Sequence, residues 1–337
     1  MYGQLLVVLA AVLAPAVHGS CVHNTSLRPR AADGAVPISN FGYTGAQGPL
    51  NWAGLAPENA ACATSKEQSP ININTATASR LQEVPQLDFA ALKSAEFENL
   101  GSTIEVVMPA GNATTTLDGT RFGLAQFHLH TPSEHRIDGE YFPLEMHMVH
   151  ESEQPGQIAV IAVLFQLSAN DTTGLMTAVT RNLADIAKPG TKTETGPLDF
   201  SQLVAHIRAS PLLTYRGSLT TPPCSDGLTF VVVQKPLPLD VDTFNRIKAT
   251  VKFNARYTQN VPGQDNLLDL GCRSADSGAL LPLSRPPPPP PFFSLANCCM
   301  YSSIGCSCGR RGGEWHCCHQ HYGRAVGVVA SGVRGGS

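Results

Sequence analysis

Two short segments carry the residue types and spacing best suited to chemistry: Gln126-Phe-His-Leu-His-Thr-Pro-Ser-Glu-His135 and Glu145-Met-His-Met-Val-His150. In an extended strand successive side chains alternate between faces, so His128 and His130 share one face, and Phe127 and Leu129 point into the layer behind. Glu145, His147 and Val149 share a face by the same rule. If the two strands are neighbours, His128, His130 and His147 converge on one point. Three imidazole nitrogens with a fourth position left open is the arrangement of a catalytic zinc, with Zn–N distances of about 2.0–2.1 Å. No Cys or Met stands at ligand spacing, and an all-nitrogen set suits zinc, with copper, iron or cobalt chemically admissible.

A His-x-His pair alone is more often an ordinary satisfied pair than a metal site. The third histidine in register shifts that balance. Metal-bound imidazoles give their other N–H to a carboxylate or carbonyl, and Gln126, Glu145 and Glu134 are the candidate acceptors. The string His-x-His-x3-Glu also occurs in cupins, on a small double-sheet barrel. Here, however, His135 directly follows the glutamate, the third histidine lies in its own segment behind Glu145, and no Pro-x-Gly turn precedes it. A cupin is the minor alternative.

A third string, Tyr215-Arg-Gly-Ser-Leu-Thr-Thr-Pro-Pro-Cys224, places two threonines on a turn just past a strand, because the prolines end any ladder. In isolation it is an ordinary Thr-rich loop. Beside a metal it gains a use. A hydroxyl that donates its proton to a carboxylate and accepts a hydrogen bond from the nucleophile fixes the nucleophile's lone pair toward substrate.

The elements that must position these residues are mostly strands. Short β-prone runs recur at Thr103–Met108, Thr120–His130, Leu144–His150, Ile158–Leu167, Leu212–Leu219 and Gly227–Gln234. Only Gly174–Ile186, capped by Asp171 or Thr172, and Thr243–Val251, capped by Asp240 or Asp242, read as helices. The pattern predicts one sheet-dominated domain over residues 41–271, large enough for a single substantial core.

The flanks differ in texture. Residues 1–19 have an apolar run from Leu5 to Leu13, then Pro15 and a small-residue cleavage site at Val17-His-Gly19, which reads as a secretory signal too short to span a bilayer. Residues 20–40 are a polar arm. Ten cysteines in 337 residues and the sequons at Asn24, Asn112 and Asn170 suit an exported, oxidised glycoprotein. The net charge of −3, with no basic cluster in the main body, argues against nucleic acid or an anionic membrane as partner, and no other stretch is long enough to span a membrane. Residues 272–337 hold a polyproline run, Pro286 to Pro291, and a segment rich in Cys, His and Arg. The tail is expected to lie outside the fold, as a low-complexity extension or an erroneous end of the gene; a small metal-binding or disulfide-stapled tail is the other reading.

Phe-Gly-Tyr43, Gln68-Ser-Pro-Ile71, Gln126-Phe-His-Leu-His130, Ser133-Glu-His135, Glu145-Met-His147, Ser218-Leu-Thr-Thr-Pro-Pro223 and Asn254-Ala-Arg256 together resemble the α-class carbonic anhydrases. The resemblance implies a mainly β fold: a large twisted, mostly antiparallel central sheet with a few short surface helices and zinc at the base of a conical cavity. It implies reversible hydration of carbon dioxide to bicarbonate by attack of a zinc-bound hydroxide. His128, His130 and His147 are then the ligands, with Gln126 and Glu145 behind His128 and His147. Thr220 orients the nucleophile and passes its proton to Glu134, Thr221 touches substrate, and Val149, Val160, Leu219 and Leu228 form the apolar wall for carbon dioxide. Tyr43 belongs to the water network. Cys62 and Cys224 match the disulfide of secreted members.

The chain departs from that pattern at Ser102, where the fastest members carry a proton-shuttling histidine; a serine does not titrate near neutrality. Leu100 and Glu105 replace positions that are often polar amides, and Phe230 stands where Trp is common. The expectation is an active enzyme whose turnover is limited by proton transfer, with a silent carbonic-anhydrase-like binding module as the alternative. His135 and His150 are expected to be structural.

Overall fold

The computed structural model describes Thr25, residues 35–154 and 156–276, and the backbone of 306–311 and 314–319. The signal segment, the sequon at Asn24, most of the arm and most of the tail lie outside the described residues.

Ten strands form the main sheet: β1 Gln86–Phe89, β2 Glu96–Asn99, β3 Ile104–Val107, β4 Ala113–Leu117, β5 Thr120–His130, β6 Leu144–Ser152, β7 Ile158–Ser168, β8 Lys192–Glu194, β9 Leu212–Ser218 and β10 Asp226–Asp240. Their order is β8-β2-β3-β5-β6-β7-β10-β9, with β4 pairing both β1 and β5. All pairs in it are antiparallel except β7 with β10. The mainly β, mostly antiparallel expectation holds, with one parallel pair making the sheet mixed.

Alternation along the central strands divides the apolar residues between two sides. Leu144, Met146 and Met148 of β6, Ile161, Val163 and Phe165 of β7, and Val231 and Val233 of β10 join the larger core. Val149, Val160, Ala162, Leu164, Leu228, Phe230 and Val232 form a smaller cluster on the opposite face. The larger core is closed by α1 Gly174–Val179, α2 Ser201–Ala209 and α3 Val241–Val251. A further helix, α4, runs from Leu267 to Asp276 across Gly271.

Several expected elements differ in detail. The helix at Gly174 is capped by Thr173, whose Oγ1 accepts from Met176 N at 3.3 Å, rather than by Asp171 or Thr172. It gives way to a 3-10 turn over Thr180–Ile186, with non-helical backbone at Asn182. For α3, Asp240 is the cap, accepting from Thr243 N at 2.8 Å. β10 continues well past Gln234, through Pro236 and Pro238. That is possible because β9 ends its pairing at Val233, which leaves this edge of β10 without a ladder for a missing N–H to break. In the tail, Cys306–Arg311 and Glu314–His319 pair antiparallel with each other as a separate two-stranded sheet.

Candidate active site

The centre of the site is built by a phase change in β5. Phe122 and Leu124 face the larger core, and so do Phe127 and Leu129. Strict alternation cannot serve both pairs, because one is even-numbered and the other odd. The register against β6 shifts between Leu124 and Gln126, and the extra residue, Ala125, absorbs the mismatch as a β-bulge. Beyond it Gln126, His128 and His130 all turn away from the larger core.

His128 then lies directly opposite His147 of β6, and His130 opposite Glu145. The three imidazole rings are 4.6–5.4 Å apart between centroids, and one nitrogen from each lies within 4.8 Å of the others. All three residues are buried.

Each ring is held by its other nitrogen. His128 Nδ1–H donates to Gln126 Oε1 at 2.8 Å. His130 Nδ1–H donates to the backbone carbonyl of Asn254 at 2.9 Å, and His147 Nε2–H to Glu145 Oε1 at 2.7 Å. These bonds leave His128 Nε2, His130 Nε2 and His147 Nδ1 as the nitrogens available to a ligand. His130 Nε2 is buried with no hydrogen-bond partner among the described residues. Burial lowers the pKa of all three imidazoles, that of His130 to about 4, so at neutral pH they carry the lone pairs a metal needs. An orphaned buried nitrogen in a neutral three-nitrogen set fits zinc. His135, Glu145 and His147 also lie close together, but their contacts of 2.6 and 2.7 Å are hydrogen bonds through a shared carboxylate oxygen.

Glu145 is saturated as an acceptor. Its Oε1 takes protons from His135 Nδ1 and His147 Nε2, and its Oε2 accepts from the backbone N–H of Glu134 at 2.7 Å and of His135 at 2.8 Å. Burial alone would raise its pKa, but the neighbouring His135 and His147 outweigh that and hold the carboxyl well below the usual carboxylate range. His135 is fixed in turn by Tyr215 Oη at 2.6 Å from its Nε2, and Tyr215 by Ser69 Oγ at 2.9 Å.

Of the other expected residues, Glu134, Thr220 and the apolar wall lie beside the cluster. The Thr220 hydroxyl hydrogen-bonds the Glu134 carboxylate. Glu134 Oε1 also accepts from Arg256 N at 2.9 Å, and its Oε2 lies 3.5 Å from His130 Nε2. Burial pushes Glu134 up to about 7, against the opposing pull of His147, Thr220 and Arg256. Thr220 and Thr221 are fully buried. Val149, Val160, Leu219 and Leu228 fall into one apolar cluster with Phe230, whose ring stands 5.8 Å from that of His147. Cys62 and Cys224 are disulfide-bonded, joining the helical turn Ala61–Thr64 to the loop after Thr220. Tyr43 is half-buried and packs edge-on against Trp52 at 5.6 Å.

Three contributors were not assigned from the sequence. Asn254 supports His130 with its backbone carbonyl, a role its residue type cannot signal. Arg256 supports Glu134 with its backbone N–H; its guanidinium donates to Ser69 O, Cys62 O and Gln68 Oε1. His135, read only as structural, braces Glu145. The Asn-Ala-Arg256 string was the available signal for the first two.

Known proteins are similar to this chain in sequence and in fold. The sequence model of the family described as eukaryotic-type carbonic anhydrase matches residues 47–268. A carbonic anhydrase of Pectobacterium atrosepticum is 35% identical over 228 residues, 67% of this chain and 89% of that protein. The alpha carbonic anhydrase structure of Aspergillus oryzae gives a TM-score of 0.67 at 41% identity, covering 71% of this chain and 99% of its own. That of Thermovibrio ammonificans, in complex with the inhibitor sulfanilamide, gives 0.60 at 33% identity, covering 67% and 98%. The matched span contains the whole three-imidazole cluster and its supports, and the chain belongs to the eukaryotic-type, or alpha, carbonic anhydrase family of zinc enzymes.

Proposed function

We propose that the chain is a secreted carbonic anhydrase that interconverts carbon dioxide and bicarbonate, with His128, His130 and His147 holding zinc, and Thr220 and Glu134 aligning the nucleophile. The observation that carries this reading is the convergence of three neutral imidazoles beside both a Thr–Glu hydrogen bond and an apolar wall. Zinc bound there supplies Lewis acidity that brings the pKa of a coordinated water into the neutral range, as is known for this enzyme family.

The chain's own residues do the rest. Gln126, Asn254 and Glu145 hold the three rings in orientation and fix which nitrogen each presents. Thr220 gives its proton to Glu134, so its oxygen is left as an acceptor, and a water or hydroxide beside it must present its O–H to Thr220. Val149, Val160, Leu219 and Leu228 form an apolar wall beside the cluster, where an apolar triatomic gas is preferred over water. With a cation held by the imidazoles, the pKa of Glu134 would fall from its burial-raised value, and Glu134 would stay the acceptor in this pair. Ser102 has no group that titrates near neutrality, so the product proton passes to dissolved buffer.

Export is supported by the disulfide, which persists in oxidising compartments, and by the exposed sequon at Asn170 and the half-exposed one at Asn112. No helix among the described residues is long and apolar enough to cross a membrane. Endoglycosidase treatment of secreted protein should produce a mass shift that Asn170→Gln reduces. The activity itself is tested by stopped-flow hydration of carbon dioxide, before and after zinc chelation and across imidazole concentrations. Activity that chelation abolishes and buffer increases is expected. A protein holding one zinc per chain with no activity would overturn the reading.

A further inference from the structure

Ile38 and Ser39 lie against the segment 100–102, and three contacts fix them there. Ser39 donates its N–H to Leu100 O at 2.9 Å. The hydroxyls of Ser39 and Ser102 are 2.7 Å apart. Ile38 lies over Gly101 and Gly190, so closely that a Cβ added to Gly190 would meet Ile38 Cδ1 at 3.1 Å and one added to Gly101 would meet its Cγ2 at 3.4 Å. Below this layer the carbonyl of Ser102 accepts from Asn254 Nδ2 at 3.1 Å, and Asn254 is the residue whose own carbonyl takes the proton of His130 Nδ1. Ser39, Ser102, Asn254 and His130 thus form an unbroken line from the surface to the imidazole cluster.

Ser102 consequently does not face solvent. It is 4% exposed, Leu100 and Thr103 on either side are 2% exposed, and Ile38, at 55%, is the layer that meets water. The hydroxyl and the carbonyl of Ser102 both have partners within the protein. A longer side chain at 102 that followed the direction of this hydroxyl would run into Ser39.

We propose that Ile38 and Ser39 are positioning residues for proton release: by covering Ser102 they close the way out of the site at that point. The product proton then passes from water in the site to a dissolved base, which leaves protonated, and not through any group at position 102. This inference rests on the carbonic anhydrase reading and deepens it. The absent histidine is only half of the departure; the room one would need is filled by the arm.

The test uses the full-length zinc-loaded chain in four forms: wild type, Ser102→His, Ile38→Gly/Ser39→Gly, and the three substitutions together. Carbon-13 NMR exchange broadening at chemical equilibrium reads the interconversion of carbon dioxide and bicarbonate, which needs no proton release to solvent. Stopped-flow hydration at low and high imidazole reads the proton step. Ser102→His alone should keep the wild-type dependence on buffer. The triple variant should lose most of that dependence, its low-buffer rate rising about tenfold through an imidazole now free to reach water. A faster low-buffer rate with Ser102→His alone would overturn the proposal, as would a triple variant that behaves like Ser102→His. Interconversion at equilibrium close to wild type certifies an intact site in each variant. If the triple variant lacks it, Ile38→Ala/Ser39→Ala/Ser102→His takes its place in the same comparison. Wild-type protein without exchange would instead defeat the carbonic anhydrase reading, so the two failures are distinguishable.

Discussion

Oε1 of Glu145 lies 2.7 Å from Nε2 of His147 and accepts its proton, and the same oxygen also accepts from His135. With Oε2 occupied by two backbone N–H groups, this carboxylate faces four donors and no acceptor. Glu145→Gln places an amide NH2 against donors whichever way it turns. Zinc affinity should fall about 10–100-fold, read by competition with a chromophoric chelator. Unchanged affinity would show that His147 is oriented by packing alone.

Thr220→Ala removes the hydroxyl that Glu134 holds in place. We expect kcat/KM to fall about 100-fold, which corresponds to about 2.7 kcal/mol, with one zinc still bound per chain. Thr220→Ser should recover most of the loss. Equal activity of the alanine and serine variants would remove the hydroxyl from the mechanism.

Acid stability should carry the signature of His150, which is buried on the larger-core side of β6 with its ring stacked on Phe89 at 6.2 Å. Burial lowers its pKa from 6.5 to about 4. Between those values the unfolded chain binds the proton and the folded one does not, so stability rises with pH. The stabilisation is therefore complete above about pH 6.5 and is lost as pH falls toward 4, by at most about 3 kcal/mol. His150→Leu should flatten that part of the curve, measured by urea denaturation of the zinc-loaded protein at successive pH values. An identical slope in both proteins would assign the acid sensitivity elsewhere.

The Cys62–Cys224 disulfide closes a loop with a sequence separation of 162. The chain-entropy model assigns such a closure up to about 5 kcal/mol. Cys62→Ser/Cys224→Ser should lower the denaturation midpoint accordingly. Because Cys224 N also donates to Thr221 O at 2.9 Å, activity should fall several-fold even where the variant is folded. A destabilised variant with full activity would separate the bridge from the loop that carries Thr220.

Alternation made much of this legible in the sequence. Four residues at His128, His130, Glu145 and His147 are enough to define a face, and the predicted strands Thr120–His130 and Leu144–His150 fall where β5 and β6 lie. What alternation cannot show is where it is interrupted. Gly123-Leu-Ala125 reads as unbroken strand, and the bulge there became visible only from the register against β6. Backbone donors and acceptors are equally silent in a sequence, which is why Asn254 and Arg256 were missed while Gln126 and Glu145, acting through side chains, were not. The prolines of β10 misled for a different reason. They mark a strand end only if both edges are paired, and pairing is a property of the neighbour β9.

The bulge at Ala125 gives the metal centre a parity. Were β5 to run regularly through all its residues, with the upstream half anchored in the core, His128 and His130 would turn over into the apolar side and Phe127 and Leu129 would come to the cavity; deleting one residue between Phe122 and Gln126 removes the mismatch and leaves the ligands on their face. Redesigns of this strand can therefore drop the bulge and its extra residue together, but not the bulge alone.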